Sequence, residues 1–319
     1  MSRRFISQYG EHESVDDVFL ASEKQLRTNR NGNLYLQVRL ADRSGSVIGM
    51  LWNANDTVYT SFDNGDFVRI KGTTQFYNGS LQMIVNKIDR ETPQKVNEAD
   101  FVTLSGRDLD RLSRRLSELL RGVHNVALRS LAECFLMDES FVNRLRSAPA
   151  GVKNHHAYRG GLLDHIVSLM EVVASVAPHY PVLDQDLLLM GAFLHDVGKI
   201  DELVYERDLG YSDAGQLLGH VVQGVGIVES KIRETEKLSG EPFPEDLKLR
   251  LLHMVVSHHG EYEYGSPKLP MTLEAIALHF LDNLDAKMHS LSQLIRDDAN
   301  TESRWTPFQA ALGRKLYKA

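Results

Sequence analysis

The hydrophobic period of this chain changes once, near Pro93, from two residues to the helical 3.6. Side chains alternate across a strand but recur every three or four residues around a helix, so one pattern cannot serve both structures. The chain must therefore build a β part followed by an α part. With 319 residues it has the length for two cores of ordinary size.

Before the switch, alternation is clearest in "LYLQVRL", where Leu34, Leu36, Val38 and Leu40 share one face and Tyr35, Gln37 and Arg39 the other. Turn signals at Asn31-Gly32, Ser44-Gly45, Asn64-Gly65 and Asn78-Gly79 divide the stretch from Val18 to Val85 into five strands. Five strands in about seventy residues leave no room for crossover helices and predict a small barrel of the OB type.

After the switch, "RDLDRLSRRLSELL" carries Leu109, Leu112, Leu116, Leu119 and Leu120 as an apolar stripe. Further helical segments read near 125–146, 161–177, 185–196, 217–235, 245–258 and 272–290, with no convincing strand among them. The expectation is multi-domain: an OB-fold barrel over 1–92, a helical linker region over 93–150 and an all-α domain over 151–319.

Composition excludes some chemistries. The single cysteine, Cys134, rules out an intrachain disulfide and a thiolate zinc site, so any metal must be held by nitrogen and oxygen. No apolar run reaches about eighteen residues, and "MSRRFISQYG" lacks the apolar core of a secretory signal. A cytoplasmic protein without membrane attachment is expected. Self-association would be unsurprising.

The net charge of −7 is uneven: residues 1–90 carry eleven Lys/Arg against ten Asp/Glu, leaving 25 against 33 for the rest. An acidic second half suits metal ions better than phosphate backbone. Histidine is more uneven still, since eleven of thirteen lie between His155 and His289.

The centre of that cluster is "FLHDVGKIDE", with His195 and Asp196 side by side at the end of an apolar helix. His165 lies at the edge of the stripe formed by Leu162, Ile166, Leu169, Met170 and Val173; His220, His258-His259 and Asp282 are likewise flanked by apolar helix. Burying so many ionisable groups without partners would cost several kcal/mol each, and a shared metal removes that cost. A lone histidine near a helix end is more often a satisfied polar residue, and only the company of the others changes the odds.

Spacing alone does not separate Asp282 from Asp285, which share a helical face. Lys199 could neutralise a phosphate oxygen or simply be a solvated helix-end lysine. "NHHAYRGG" could bring His156 and Arg159 to a cleft rim, although helix entry explains its glycines equally well. Tyr262 or Tyr264 could stack a base or pack their own loop. His179, His253, His279 and His289 are read as bystanders.

The order His, His-Asp, His, His-His, Asp over residues 150–290 resembles the HD superfamily of metal-dependent phosphohydrolases. That resemblance implies one metal held by His165, His195, Asp196 and Asp282, with Asp196 bridging to a second held by His220, His258 and His259. It favours Asp282 over Asp285. Donors of this kind suit Mn²⁺ first, and Fe²⁺, Co²⁺, Mg²⁺ or Zn²⁺ as well. Asp196 and Lys199 would then be the catalytic pair.

On the barrel, Arg27, Arg30, Tyr35, Arg39 and Lys71 interleave basic and aromatic character, with Trp52, Arg69, Phe76 and Tyr77 nearby in sequence. Trp52 and Phe76 could instead fill the barrel. A barrel followed by an HD domain, with "RTNRNGNLYLQVRLADRSG" and "SHHGEYEYGSPKLP", is similar to the YhaM family of 3′-to-5′ exoribonucleases over nearly the whole chain. The similarity implies Mn²⁺-dependent trimming of a single-stranded 3′ end, RNA first with single-stranded DNA left open as a substrate, and release of nucleoside 5′-monophosphates. Rival readings are a phosphodiesterase or phosphohydrolase acting on cyclic dinucleotides or nucleotides, and a non-catalytic nucleic-acid-binding regulator.

Overall fold

The computed structural model describes residues 3–77, 80–101, 104–152, 158–205, 210–296, 298 and 303–318. It divides into two compact units, Met1–Thr103 with Leu291–Ala319, and Leu104–Ser290.

The first unit is built on β1 (Ser14–Thr28), β2 (Leu34–Asp42), β3 (Gly45–Trp52), β4 (Phe67–Tyr77) and β5 (Ser80–Arg90), with a short helix α1 (Asp56–Thr60) between β3 and β4. The strands close in the order β1-β2-β3-β5-β4. Closure is possible because β1 is long enough to serve two partners: its first half pairs with β4 and its second with β2. β1 changes partner at Leu20, and an irregularity between Ser22 and Gln25 breaks the register shortly after, within the part paired with β2. Each of the five strands thereby has a partner strand on both sides.

Alternation dictates the barrel interior, which Val15, Phe19, Leu36, Val38, Leu40, Val68, Ile70 and Met83 fill. The turn expected at Asn78-Gly79 lies outside the described residues, but Tyr77 and Ser80 pair on either side of it.

The second unit is helical: α2 (Gly106–Arg121), α3 (Val126–Leu136), α4 (Glu139–Leu145), α5 (Gly161–Val176), α6 (Gln185–Leu194), α7 (Lys199–Glu202), α8 (Asp213–Ser239), α9 (Glu245–Ser257) and α10 (Leu273–Arg296), the last running past the unit's end. The segment expected as one helix over 125–146 is two, because the Asp138 carboxylate accepts the Phe141 N–H at 3.0 Å and starts α4 afresh. A two-residue ladder, β6 (Leu203–Val204) with β7 (Gly210–Tyr211), also interrupts the helices where no strand was expected.

The division differs from the expected boundaries in two places. Residues 104–150 are no linker, since Leu112, Leu116, Leu120, Leu128, Leu131 and Phe135 share one core with Leu162, Phe193 and Met254. An amphipathic stripe has to bury against something, and here α2 packs against α5 and α3, and α3 in turn against α8 and α6. Residues 291–319 group with the barrel, and their described tail is held by isolated bridges, Trp305 with Tyr317 and Gln309 with Arg314.

Gly161–His179 is long and apolar enough to cross a membrane by length and composition. In this fold Leu162, Ile166, Leu169, Met170 and Val173 are buried in the core, which explains its apolarity.

Candidate metal centre

Five elements of the second unit converge on one cluster. α5 contributes His165, the end of α6 His195 and Asp196, α8 His220, the end of α9 His258 and His259, and α10 Asp282 and Asp285. His165 and His195 are fully buried, and Asp196 and His258 nearly so.

The donor atoms form two groups, His165, His195 and Asp282 in one and His220, His258 and His259 in the other, each with one ligand atom per residue and all within 4.8 Å of one another. In the first, His165 Nε2 lies 3.3 Å from His195 Nε2 and 3.2 Å from Asp282 Oδ1. Asp196 stands between the groups: its Oδ2 is 3.4 Å from His195 Nε2, while its Oδ1 is 3.5 Å from His220 Nε2 and 3.6 Å from His258 Nε2.

The rings present bare lone pairs inward. His195 and His258 each donate Nδ1–H to the carbonyl three residues back, Ala192 at 2.9 Å and Val255 at 2.8 Å. These bonds fix the tautomer and leave Nε2 as an acceptor. Asp196 Oδ1, His220 Nε2 and His259 Nδ1 are buried without a hydrogen-bond partner among the described residues. Orphaned acceptors facing one another are costly unless a cation joins them, and a set of imidazoles and carboxylates suits divalent ions of the Mn²⁺ and Fe²⁺ kind. The residues present therefore fit divalent metal.

Asp285 occupies a different position from Asp282. Its Oδ2 sits 3.0 Å from His165 Nδ1, on the far side of the ring, and its Oδ1 accepts from Ser168 Oγ at 2.6 Å. It braces a candidate ligand, while Asp282 faces the cluster. Burial alone would discharge His165, but Asp282 and Asp285 outweigh it and push the ring up to about 9. Burial, aided by His195, pushes His258 well below its ordinary value, leaving it neutral.

Lys199 is not a free helix-end lysine. Its Nζ donates to Asp196 Oδ2 at 2.6 Å. Burial opposes charge on both partners, yet their mutual attraction keeps the ammonium raised and the carboxylate well below the usual range. Among the described residues this is its one hydrogen bond, and an ammonium carries three N–H donors.

Of the other expected site residues, His156 lies outside the described residues. Arg159 is exposed just before α5, and Tyr262 is 64% exposed in a single 3₁₀ turn after the histidine pair.

On the barrel, the strand register places Arg27 opposite Tyr35 and Tyr35 opposite Trp52. The Tyr35 and Trp52 rings stand 5.3 Å apart, and Trp52 is 47% exposed, so it lines the outer face and does not fill the core. Arg30 is exposed in the turn after β1. Arg39 is engaged by Glu23 at 3.2 Å and Lys71 by Asp16 at 3.3 Å.

Sequence reasoning missed residues that shape the cluster. His279, read as a bystander, contacts the His258 carbonyl through Nδ1 at 2.9 Å, and no ligand pattern in the sequence marks it. Glu202 lies against His220, and its signal was its place six residues past Asp196 in the same short stretch. Gly219 adopts φ 72°, ψ 161°, a region open in practice only to glycine, and this kink turns α8 immediately before His220.

Comparison with known proteins agrees with this picture. Residues 162–287 match the HD domain family and residues 22–90 the OB-fold nucleic acid binding domain family. The curated 3′-5′ exoribonuclease YhaM of Geobacillus sp. (strain WCH70) is 32% identical over 91% of this chain and 87% of its own length. Its namesake in Bacillus subtilis (strain 168) is 32% identical over 89% and 88%. The second OB-fold domain of replication protein A from Methanococcus maripaludis matches 27% of this chain and 92% of its own at 22% identity, with a TM-score of 0.23 that adds nothing to the barrel already described.

Proposed function

The chain belongs to the YhaM family of 3′-5′ exoribonucleases, and we infer from that membership and from the metal centre that it is a metal-dependent hydrolase trimming RNA from its 3′ end. The observation that carries the chemistry is Asp196, whose two oxygens face two different groups of histidines.

Divalent ions held there would supply Lewis acidity to the scissile phosphate and lower the pKa of the attacking water. Asp196 would bridge them, with His165, His195 and Asp282 on one side and His220, His258 and His259 on the other. Lys199 keeps Asp196 ionised and offers its remaining N–H donors to a phosphate oxygen, stabilising charge as the leaving oxygen departs. Breaking the last phosphodiester by water in this way releases a nucleoside 5′-monophosphate.

The finer reading is two Mn²⁺ ions and a single-stranded end, with RNA favoured and DNA accepted. On the barrel, the Tyr35 and Trp52 rings with Arg27 beside them offer a stacking surface and a cation to such a strand. Arg159 and Tyr262, and His156 by its place in the sequence, remain candidate substrate contacts. A cytoplasmic setting is supported by the free, buried Cys134. Self-association is supported by the exposed Leu273, Phe280, Leu284 and Met288 on α10.

The test is incubation of the purified chain with Mn²⁺ and 5′-labelled single-stranded RNA, DNA and a cyclic dinucleotide, with Asp196→Ala as control. Progressive shortening of the RNA from its 3′ end is expected. Cleavage of the cyclic dinucleotide alone, or equal trimming by the control, would sink this reading.

A further inference from the structure

Glu202 is a buried carboxylate that belongs to neither ligand group. It ends α7 and accepts twice from one residue, the His220 backbone N–H at 2.9 Å and the ring Nδ1 at 3.0 Å. Its own carbonyl receives the Ser212 N–H at 2.9 Å at the head of α8. A Cβ on Gly215 would lie 2.1 Å from that carbonyl oxygen, so the first turn of α8 is wrapped closely around this residue.

A carboxylate against Nδ1 requires the ring proton there, which leaves the Nε2 lone pair pointing toward Asp196 Oδ1, 3.5 Å away. Among the described residues no other hydrogen bond holds this ring. The backbone before His220 leaves the helical conformation at Gly219, and the His220 N–H is donated to Glu202. In the same group, among the described residues, His258 is braced only by a main-chain carbonyl and His259 Nδ1 has no partner. Across the cluster, His165 has its own acidic brace in Asp285. Each group therefore carries one carboxylate-backed histidine, supplied by different elements.

We propose that Glu202 is the positioning residue of the second metal site: by holding His220 it determines whether the ion beside His258 and His259 is retained, without acting on the ion beside His165. The inference rests on the two-metal reading above.

The measurement is Mn²⁺ binding to the full chain by equilibrium dialysis and titration calorimetry, which reads each site without recourse to activity. Two ions are expected for the unaltered chain. Glu202→Ala should weaken one of them by about 10–100-fold and leave the other unchanged. Glu202→Gln keeps an oxygen to accept from Nδ1–H and should recover most of the loss. In a His220→Ala background, Glu202→Ala should add nothing further, as two residues acting through one ring are not additive.

Two ions bound by Glu202→Ala at unaltered affinity would overturn the inference alone, as would equal weakening of both sites in the Glu202→Gln chain. Fewer than two ions in the unaltered chain would overturn the two-metal reading and this inference with it.

Discussion

The barrel surface and the helical core place ionisable groups under opposite rules. On the barrel, Arg39, Arg69 and Lys71 stand at least partly in solvent, each beside a carboxylate, and such contacts are worth little and specify little. In the helical unit, His165, His195, Asp196 and His258 are almost wholly removed from water, where an unpartnered polar group costs several kcal/mol. A buried histidine therefore needs a reason, and an exposed arginine does not. Chemistry is read more securely from the second kind of site.

The largest effect should come from the residue shared by both ligand groups. Asp196→Ala is expected to lower RNA trimming by more than about 100-fold at saturating Mn²⁺, since even bracing residues around metal ligands are typically worth 10–100-fold. Asp285→Asn, which disturbs only the brace behind His165, should fall within that smaller range. Equal losses for the two variants, measured in one gel assay, would erase the distinction drawn between facing the cluster and backing it.

Next comes a buried ion pair with no part in the chemistry. Glu274, at the start of α10, accepts the Asp184 N–H at 2.9 Å and pairs with Arg250 at 3.0 Å, tying together the starts of α6 and α10 and the body of α9. Burial by itself would raise its carboxyl, but those contacts hold it below the ordinary 4.5. A depressed carboxyl contributes stability above its unfolded pKa and loses it as the pH falls through the folded value. Glu274→Gln should therefore cost about 1.5–3 kcal/mol at pH 7 and progressively less on acidification below about pH 4.5. Urea titrations at both pH values check this; a cost that grew on acidification would refute the sign.

How much was legible in the sequence follows the same contrast. The barrel was readable because closure needs only alternation and turn residues, as in "LYLQVRL" between its glycine turns. The histidine cluster was readable because His165, His195, His220, His258 and His259 each interrupt an apolar run. What lay beyond reach depends on tertiary geometry. Asp282 and Asp285 share a helical face, and only the His165 ring between them separates a residue facing the cluster from a brace. Trp52 fits a barrel core by hydrophobicity and its outer face by register, and register is not visible until strands pair. Residues 104–150 have the pattern of an independent helix pair, and nothing local says which core will take their leucines.

On the barrel, the aromatic pair should matter more than any charge. Trp52→Ala or Tyr35→Ala, placed in an Asp196→Ala background to prevent cleavage, should weaken single-stranded RNA binding by about 1–3 kcal/mol, the usual worth of a stacked base. Fluorescence anisotropy with a short labelled RNA reads the change. No change would return Trp52 to a packing role, despite its exposure.

The smallest effects should come from the barrel's basic residues, and they should not be alike. Among the described residues Arg27 has only the neutral Gln25 as a partner, whereas Lys71 shares Asp16 with Arg69. A cation already paired with a carboxylate gains little from a phosphate, because one contact replaces another. In the same cleavage-deficient background, Arg27→Ala should reduce the slope of log affinity against log salt by about 0.7, the value for one phosphate contact on a single strand. Lys71→Ala should leave that slope and the affinity within about twofold of the parent. If Lys71→Ala lowered the slope as much as Arg27→Ala, the Asp16 pairing would not survive in the RNA complex, and the exposed ion pairs of the barrel would have to be counted among its RNA contacts.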